Sequence, residues 1–303
     1  MIPMETLALI PASPDYAPLR ALVLDAVSSP LTRTMYARAL DDFFVFRASQ
    51  GAPPFSRALV QAHRAALEEK GYAPATVNQR LSAIRKLAQE AASNGLMTFE
   101  AATAIRDIKG PKQRGVRMGN WLTRAQTQTL LNAPPEDTLK GKRDRVALGL
   151  LIGCGLRRAE CTAVTVEHIQ QREGRWVIVD LRGKGGRLRT VPVPAGVKQR
   201  LDVWCEAAGI TQGRILRSLN RHGQITGESV SPQAILDLVA EYAEIKPHDL
   251  RRTCAKLCRK AGAELEQIQL LLGHASIATT ERYLGAQQDL EHAPNDRMGL
   301  HFS

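Results

Sequence analysis

Long apolar runs are missing from this 303-residue chain. None reaches the roughly 18 residues that a membrane-crossing helix needs, and no basic amphipathic helix or lipidation motif stands out. The opening stretch MIPMETLALIPASPDY has no positive n-region before its short apolar segment, so it does not read as a signal peptide. Cysteine is scarce. The five present (Cys154, Cys161, Cys205, Cys254, Cys258) are odd in number and scattered, which argues against a secreted disulfide framework. Cys254 and Cys258 stand four apart with His248 nearby, but two more ligands at a recognisable spacing are lacking. The pair therefore reads as core thiols and not as a zinc site. The glycine-rich stretch Gly183-Lys184-Gly185-Gly186 lacks the G-x-x-x-x-G-K-[ST] pattern and lies between strand-like segments, which sets aside a nucleotide loop. Internal repeats and low-complexity tracts are also absent. No cofactor or metal is expected.

Acidic residues are the minority charge. Lys and Arg number 41 against 30 Asp and Glu, a formal charge of +11. That excess favours a polyanionic partner, and with the absences above it points to a soluble, cytoplasmic protein working at DNA. Hydrophobic residues make up 44%, enough to bury a proper core, and the length suggests about two domains at ~150 residues each.

Residues 1–28 are rich in Pro and Ala and suggest little beyond a short helix near Leu19–Val27. From Thr32 the pattern turns helical, with Tyr36, Leu40, Phe43 and Phe44 on one face, and Gly51 with Pro53-Pro54 ends it. Ser56 can cap a second helix that stops at Lys70-Gly71. Thr76 can cap a third, striped by Val77, Leu81, Ile84, Ala88 and Ala91 and stopped by Gly95. Arg80, Arg85 and Lys86 lie on the polar faces, as DNA contacts or as a solvated surface.

Residues 106–124 carry six basic residues (Arg106, Lys109, Lys112, Arg114, Arg117, Arg124) against the single acid Asp107. Gly110-Pro111, Gly115 and Gly119 deny this segment regular structure, so it reads as a basic interdomain linker along DNA, or as a solvated tether. Thr123 then caps a helix through Leu131, and another covers about residues 142–154. Residues 164–193 change to a strand-like period and read as a three-stranded antiparallel sheet with a glycine-rich hairpin. Helices follow at about 195–208 and 231–243.

The chemistry concentrates in three places. Arg157 has Glu160 three residues on, a spacing at which a carboxylate fixes a guanidinium fork, although an ordinary surface ion pair looks the same in sequence. Lys184 sits at the hairpin tip between glycines that permit close approach to a ligand; a solvated turn lysine is the plain alternative. The stretch HDLRRTCAKLCRKAGAELEQIQLLLGHASIATTERYL puts His248 and Arg251 on one helical face, then adds His274 and Tyr283. Arginines hold phosphate oxygens, histidines move protons and a phenol can act as nucleophile, a set suited to attack on a phosphodiester. His63, His168, His222, His292 and His301 join no such constellation.

The ordered set GLRRAE (155–160), RGKGGRLRTVPVP (182–194), HDLRRT (248–253) and LLGHASIATTERYL (271–284) resembles the tyrosine recombinase, or phage-integrase, family. Each motif is weak alone; in order they are specific. The positions matching the family's catalytic set are Arg157, Lys184, His248, Arg251, His274 and Tyr283. Cys154 stands where a Thr is common, and Arg158-Ala159 replaces the usual apolar-then-small pair, but neither change removes a reacting group. With only about 28 residues before the first strong helix, the family's extra arm-type DNA-binding domain is not expected.

The resemblance implies a mainly α fold: an all-helical N-terminal DNA-binding domain plus a mixed α/β catalytic domain, mostly helical with a small antiparallel sheet. The boundaries read as an N-terminal extension (1–28), a core-binding domain (29–105), a linker (106–120), the catalytic domain (121–290) and a tail (291–303). It further implies cleavage and rejoining of DNA at a specific site through a 3′-phosphotyrosyl link, and a homotetramer on two duplexes exchanging strands through a Holliday junction. A type IB topoisomerase, or an inactive DNA-binding relative, would share much of the pattern.

Replacing Lys109, Lys112, Arg114 and Arg117 together should weaken binding to all duplexes about equally, since a glycine-broken segment is suited to phosphates and not to base edges. If all four touch phosphates, the slope of log K against log salt falls by roughly 3.6, at about 0.9 per contact. A salt titration on specific and random duplexes measures it; an unchanged slope would make the segment a solvated tether.

Overall fold

The computed structural model describes residues 17–112, 120–183 and 186–284. The chain divides into two compact units, Met1–Val116 and Arg117–Ser303.

The described residues of the first unit form five helices: α1 (Ala17–Asp25), α2 (Pro30–Ser49), α3 (Arg57–Glu69), α4 (Pro74–Ser93) and α5 (Phe99–Arg106). Ser29, Ser56 and Thr98 begin α2, α3 and α5 by accepting a backbone N–H three residues on. The apolar stripes meet in one core around Leu40, Phe43, Leu81, Ile84, Leu87 and Ile105. Thr76 is not the cap of α4, as the sequence suggested. Pro74 opens that helix two residues earlier, because its fixed φ and missing N–H suit the first helical position. The eight-residue α5 also escaped the sequence reading, being too short to show a period, and it takes Arg106 out of the linker segment.

After α5 the chain turns back onto the same unit. Arg64 Nη1 donates to the Lys109 carbonyl (2.9 Å), Asn78 Nδ2 to that of Pro111 (3.0 Å), and Arg85 to that of Ile108. Arg80 pairs with Asp42 and lies over the Tyr72 ring, while Lys86 pairs with Glu90 at 2.6 Å. Three of the polar-face cations are therefore committed within the unit. Residues 113–119, with Arg114 and Arg117, lie outside the described residues. His63 is buried against Phe43 and Phe46, and burial pushes its pKa down to about 4, as expected of a core histidine.

In the second unit α6 (Arg124–Asn132) and α7 (Leu139–Ile152) come first. Thr123 caps α6 as read, but α7 starts and ends earlier than its apolar run suggested, under a Thr138 cap. Val146 to Ile152 are all buried, so the C-terminal half of α7 is wrapped on every side and shows no one-sided stripe. The short α8 (Arg158–Ala163) and a 3₁₀ turn (Val166–His168) follow. That turn corrects the strand period read across Val164 and Val166; the first strand begins only at Ile169. Strands β1 (Ile169–Arg172), β2 (Arg175–Arg182) and β3 (Leu188–Pro192) pair antiparallel in chain order, with Ile178 opposite both Ile169 and Val191. Beyond α9 (Ala195–Ala207) lies a hairpin, β4 (Ser218–Leu219) and β5 (Ile225–Gly227), too short to announce itself in sequence. The helices α10 (Pro232–Tyr242), α11 (Pro247–Lys260), α12 (Leu265–Leu272) and α13 (Ile277–Leu284) complete the described fold. The core spans α7, the inner face of the sheet and Trp204, whose indole N–H donates to the Ile215 carbonyl at 2.8 Å. No described helix is long and apolar enough to cross a membrane.

Candidate active site

Arg157 is the cap residue that starts α8, so its backbone N–H has no partner within that helix. Glu160, three residues on, accepts that N–H (2.8 Å) and also the Arg157 Nη1 group (2.7 Å). This is not the surface ion pair that the spacing alone allowed. The Glu160 carboxylate is only 4% exposed and collects two further arginines. Arg189, from β3, donates Nη1 to Oε1 (2.9 Å) and Nη2 to Oε2 (2.8 Å), while Arg251 Nη1 stands 3.8 Å from Oε2. Burial works against the charged carboxylate, but the hydrogen bonds from Arg189 and the Arg157 backbone outweigh it and hold its pKa down at about 2.

Pro247 opens α11, placing His248 in its first turn and Arg251 three residues later on the same face. Arg251 is 1% exposed. Its Nη1 donates to the Gly155 carbonyl (2.6 Å) and its Nη2 to that of Leu272, tying α11 to the turn before α8 and to the end of α12. Burial, then repulsion from Arg157, lowers its pKa to about 10, which leaves it a cation at neutral pH. Arg157 is the more accessible of the two, with its side chain 32% exposed.

Gly273 ends α12 at φ +61°, in the left-handed region. A side chain there would also meet Arg189, whose Cδ lies 2.8 Å from the position of an added Cβ. Glycine thus serves both the turn and the passage of Arg189, which donates its Nε to the Leu271 carbonyl at 3.2 Å. The next residue is His274. Its Nδ1 is 3.0 Å from Thr280 Oγ1, and burial with the nearby arginines pushes its pKa down to about 4.

Tyr283 comes from α13. Its ring meets those of His248 and His274 edge-on, each at 5.2 Å, and the Arg252 guanidinium lies over it at 5.0 Å. The phenol O–H donates to the His248 backbone carbonyl at 3.0 Å. Burial raises the phenol to about 12, with Arg251 and Arg252 pulling the other way. The His248 pKa is lowered, chiefly by burial and next by Arg252. At neutral pH the cluster therefore holds a protonated phenol, two neutral imidazoles and the Glu160 carboxylate with its surrounding guanidinium cations, while Asp249 pairs with Arg252 beside the phenol.

Five of the six residues singled out from the sequence (Arg157, His248, Arg251, His274, Tyr283) meet in this cluster. The sixth, Lys184, lies outside the described residues; Gly183, just before it, abuts the network, since an added Cβ would sit 3.5 Å from Glu160 Oε1. Sequence reasoning missed Arg189, Arg252 and Thr280. Arg189 is one arginine among several around the hairpin, and only the strand pairing turns it toward Glu160. Thr280 carried a faint signal, one helical turn before Tyr283. Among the described residues no group of three or more His, Cys, Asp or Glu could hold a metal ion.

The phage integrase family model matches residues 120–289, more than half of the chain, and the model of the family's N-terminal SAM-like domain matches residues 19–95. The chain belongs to the phage integrase family. Tyrosine recombinase XerD of Pseudomonas aeruginosa is 30% identical over 88% of this chain and 90% of its own. Tyrosine recombinase XerC of Chlamydia trachomatis is 32% identical over 75% of this chain and 71% of its own. Among solved structures, a lambda integrase dimer bound to a COC′ core site has a TM-score of 0.65 at 17% identity, over 88% of this chain and 75% of that one. The XerH site-specific recombinase in its post-cleavage complex with palindromic difH has a TM-score of 0.63 at 16% identity, over 85% and 77%. These likenesses establish an integrase fold, mainly α with small antiparallel sheets.

Within that fold the Glu160 cluster has a measurable signature. Glu160→Gln keeps the shape but leaves the arginines without their counter-charge, and should cost about 3 kcal/mol, the scale of breaking a buried ion pair. Urea unfolding of both proteins measures it, and a loss under ~1 kcal/mol would return Glu160 to an ordinary surface pair. The sign with pH follows from the depressed pKa. The Glu160 contribution is fully present above the usual carboxylate value of 4.5 and is lost as pH falls toward about 2, so the two proteins converge in acid.

Proposed function

We propose that this chain is a site-specific DNA recombinase that cleaves and rejoins strands through a 3′-phosphotyrosyl link on Tyr283. The observation that carries the reading is the placement of the Tyr283 phenol against two neutral imidazoles and beside the arginine cluster. Tyr283 Oη leaves the His248 carbonyl, attacks the scissile phosphorus in line and forms the O–P bond to tyrosine. The bond to the 5′-oxygen breaks. A free phenol with a pKa of about 10 must lose its proton as it attacks, and here burial holds the proton more firmly still. His248, kept neutral, accepts or relays it. Lys184 protonates the departing 5′-oxygen, His274 hydrogen-bonds a phosphate oxygen, and Arg157 and Arg251 offset the charge that builds in the transition state.

The covalent link conserves the energy of the phosphodiester, so the cycle needs neither nucleotide nor metal. The 5′-hydroxyl of a second duplex then attacks the phosphotyrosine, and two such exchanges pass through a Holliday junction. We assign double-stranded DNA with a specific recombination site as the partner, a homotetramer on two duplexes as the working assembly, and the cytoplasm as the location. The net charge of +11 supports the first of these. The curated relatives are named tyrosine recombinases, which favours strand exchange over relaxation of one duplex by a topoisomerase. The intact set of reacting groups disfavours an inactive relative.

Tyr283→Phe removes only the nucleophilic oxygen. With nicked suicide substrates in excess EDTA, the parent chain should accumulate a covalent adduct, and the variant should form none while binding DNA normally. An adduct on the variant, or a strict need of the parent for a divalent cation, would contradict the mechanism.

A further inference from the structure

Thr280 is fully buried on α13, one turn before Tyr283, and its hydroxyl lies 3.0 Å from His274 Nδ1. Two arrangements satisfy that distance: Nδ1–H donates to the hydroxyl, or the hydroxyl donates to a bare Nδ1. They differ in what happens to the threonine proton. In the first, the hydroxyl proton needs another acceptor, and among the described residues Thr280 Oγ1 meets no group but His274. A buried donor left unmatched is costly, so the second arrangement is favoured. It uses the hydroxyl as donor and Nδ1 as acceptor, and leaves neither unmatched. The proton of the neutral ring then sits on Nε2, which has no hydrogen-bond partner among the described residues.

We propose that Thr280 is a positioning residue that locks His274 in the tautomer with its proton on Nε2, so that His274 meets phosphate as a neutral hydrogen-bond donor. This rests on the reading of His274 as a phosphate contact given above. The surroundings agree with it. Burial and the charges of Arg251, Arg157 and Arg189 keep a second proton off the ring, so the tautomer alone decides which nitrogen donates. The link is also mechanical. Tyr283 and Thr280 share α13, so the helix that brings the nucleophile also brings the group that orients its neighbour. Displacing α13 would remove both at once, and a site without its nucleophile would then also lose its oriented donor.

The test uses the full chain with ¹⁵N-labelled histidine and three variants. Thr280→Val keeps the shape and removes the hydroxyl, Thr280→Ser keeps the hydroxyl, and His274→Ala reports on His274 itself. In the parent, His274 Nδ1 should give a pyridine-type nitrogen signal and Nε2 a protonated, pyrrole-type one. Thr280→Val should lose that pattern and slow single-turnover cleavage about tenfold or more, the loss typical when the orienting partner of a functional histidine is removed. Thr280→Ser should restore both, and DNA binding should be unchanged in the two Thr280 variants. A protonated Nδ1 in the parent, or Thr280→Val cleaving at the parent rate while His274→Ala is inactive, would overturn the role of Thr280 alone. His274→Ala cleaving at the parent rate would overturn the underlying reading of His274, and the proposal with it.

Discussion

One ionised carboxylate, Glu160, sits where three arginines from separate parts of the chain come together: Arg157 from the start of α8, Arg189 from β3 and Arg251 from α11. Each guanidinium would repel the others without it. In water such pairs contribute little, but here the carboxylate is almost fully covered, and taking the charges out of solvent strengthens their attraction as well as their cost. The arrangement is tolerable because every contact is also a hydrogen bond or stands near one. Arg189 engages both oxygens in a fork, and the α8 backbone adds another donor. The cluster is further anchored on backbone carbonyls: Leu271 holds Arg189, and Gly155 and Leu272 hold Arg251. The end of α12, and with it His274, is thereby set by the arginines that Glu160 gathers.

Burial first, and that positive cluster second, set the protonation of the groups beside it. Burial lowers both imidazoles and raises the phenol, and the nearby cations push the imidazoles further down while partly offsetting the rise at the phenol. A neutral His248 can take a proton, a neutral His274 can give a hydrogen bond, and Tyr283 keeps its proton at neutral pH. The hydrogen bond from the phenol to the His248 carbonyl holds the tyrosine in this protonated form. The arginine charges and the burial therefore act together on the imidazoles and against each other on the phenol, where burial prevails.

Much of this was legible in the sequence because it depends on short-range pattern. His248 and Arg251 share a helical face at three-residue spacing, and the order of motifs from Arg157 to Tyr283 carried the family. The helices of the first unit were legible for the same reason, through stripes such as Val77–Leu81–Ile84 and caps such as Ser56. What escaped depends on long-range pairing or on lengths too short for a period. Arg189 became part of the cluster only through the register of β3 against β2. The eight residues of α5, the six of α8 and the hairpin of β4 and β5 gave no periodic signal. Around α4 a plausible cap, Thr76, lost to a proline two residues earlier. The helix α7 hid its C-terminal end because its second half is buried on every side, and an all-round apolar run has no edge to mark.

The central claim is that the arginines held by Glu160 act on the charge of the scissile phosphate, and not merely on the shape of the site. Replacing one non-bridging oxygen of that phosphate with a methyl group removes the charge and leaves the linkage in place. Single-turnover cleavage by the parent and by Arg157→Ala, on ordinary and methylphosphonate duplexes, then separates charge from shape. The account predicts a loss of at least ~10²-fold for Arg157→Ala on the ordinary phosphodiester, the scale of removing one transition-state donor. On the neutral linkage most of that loss should disappear. An equal loss on both substrates would contradict it.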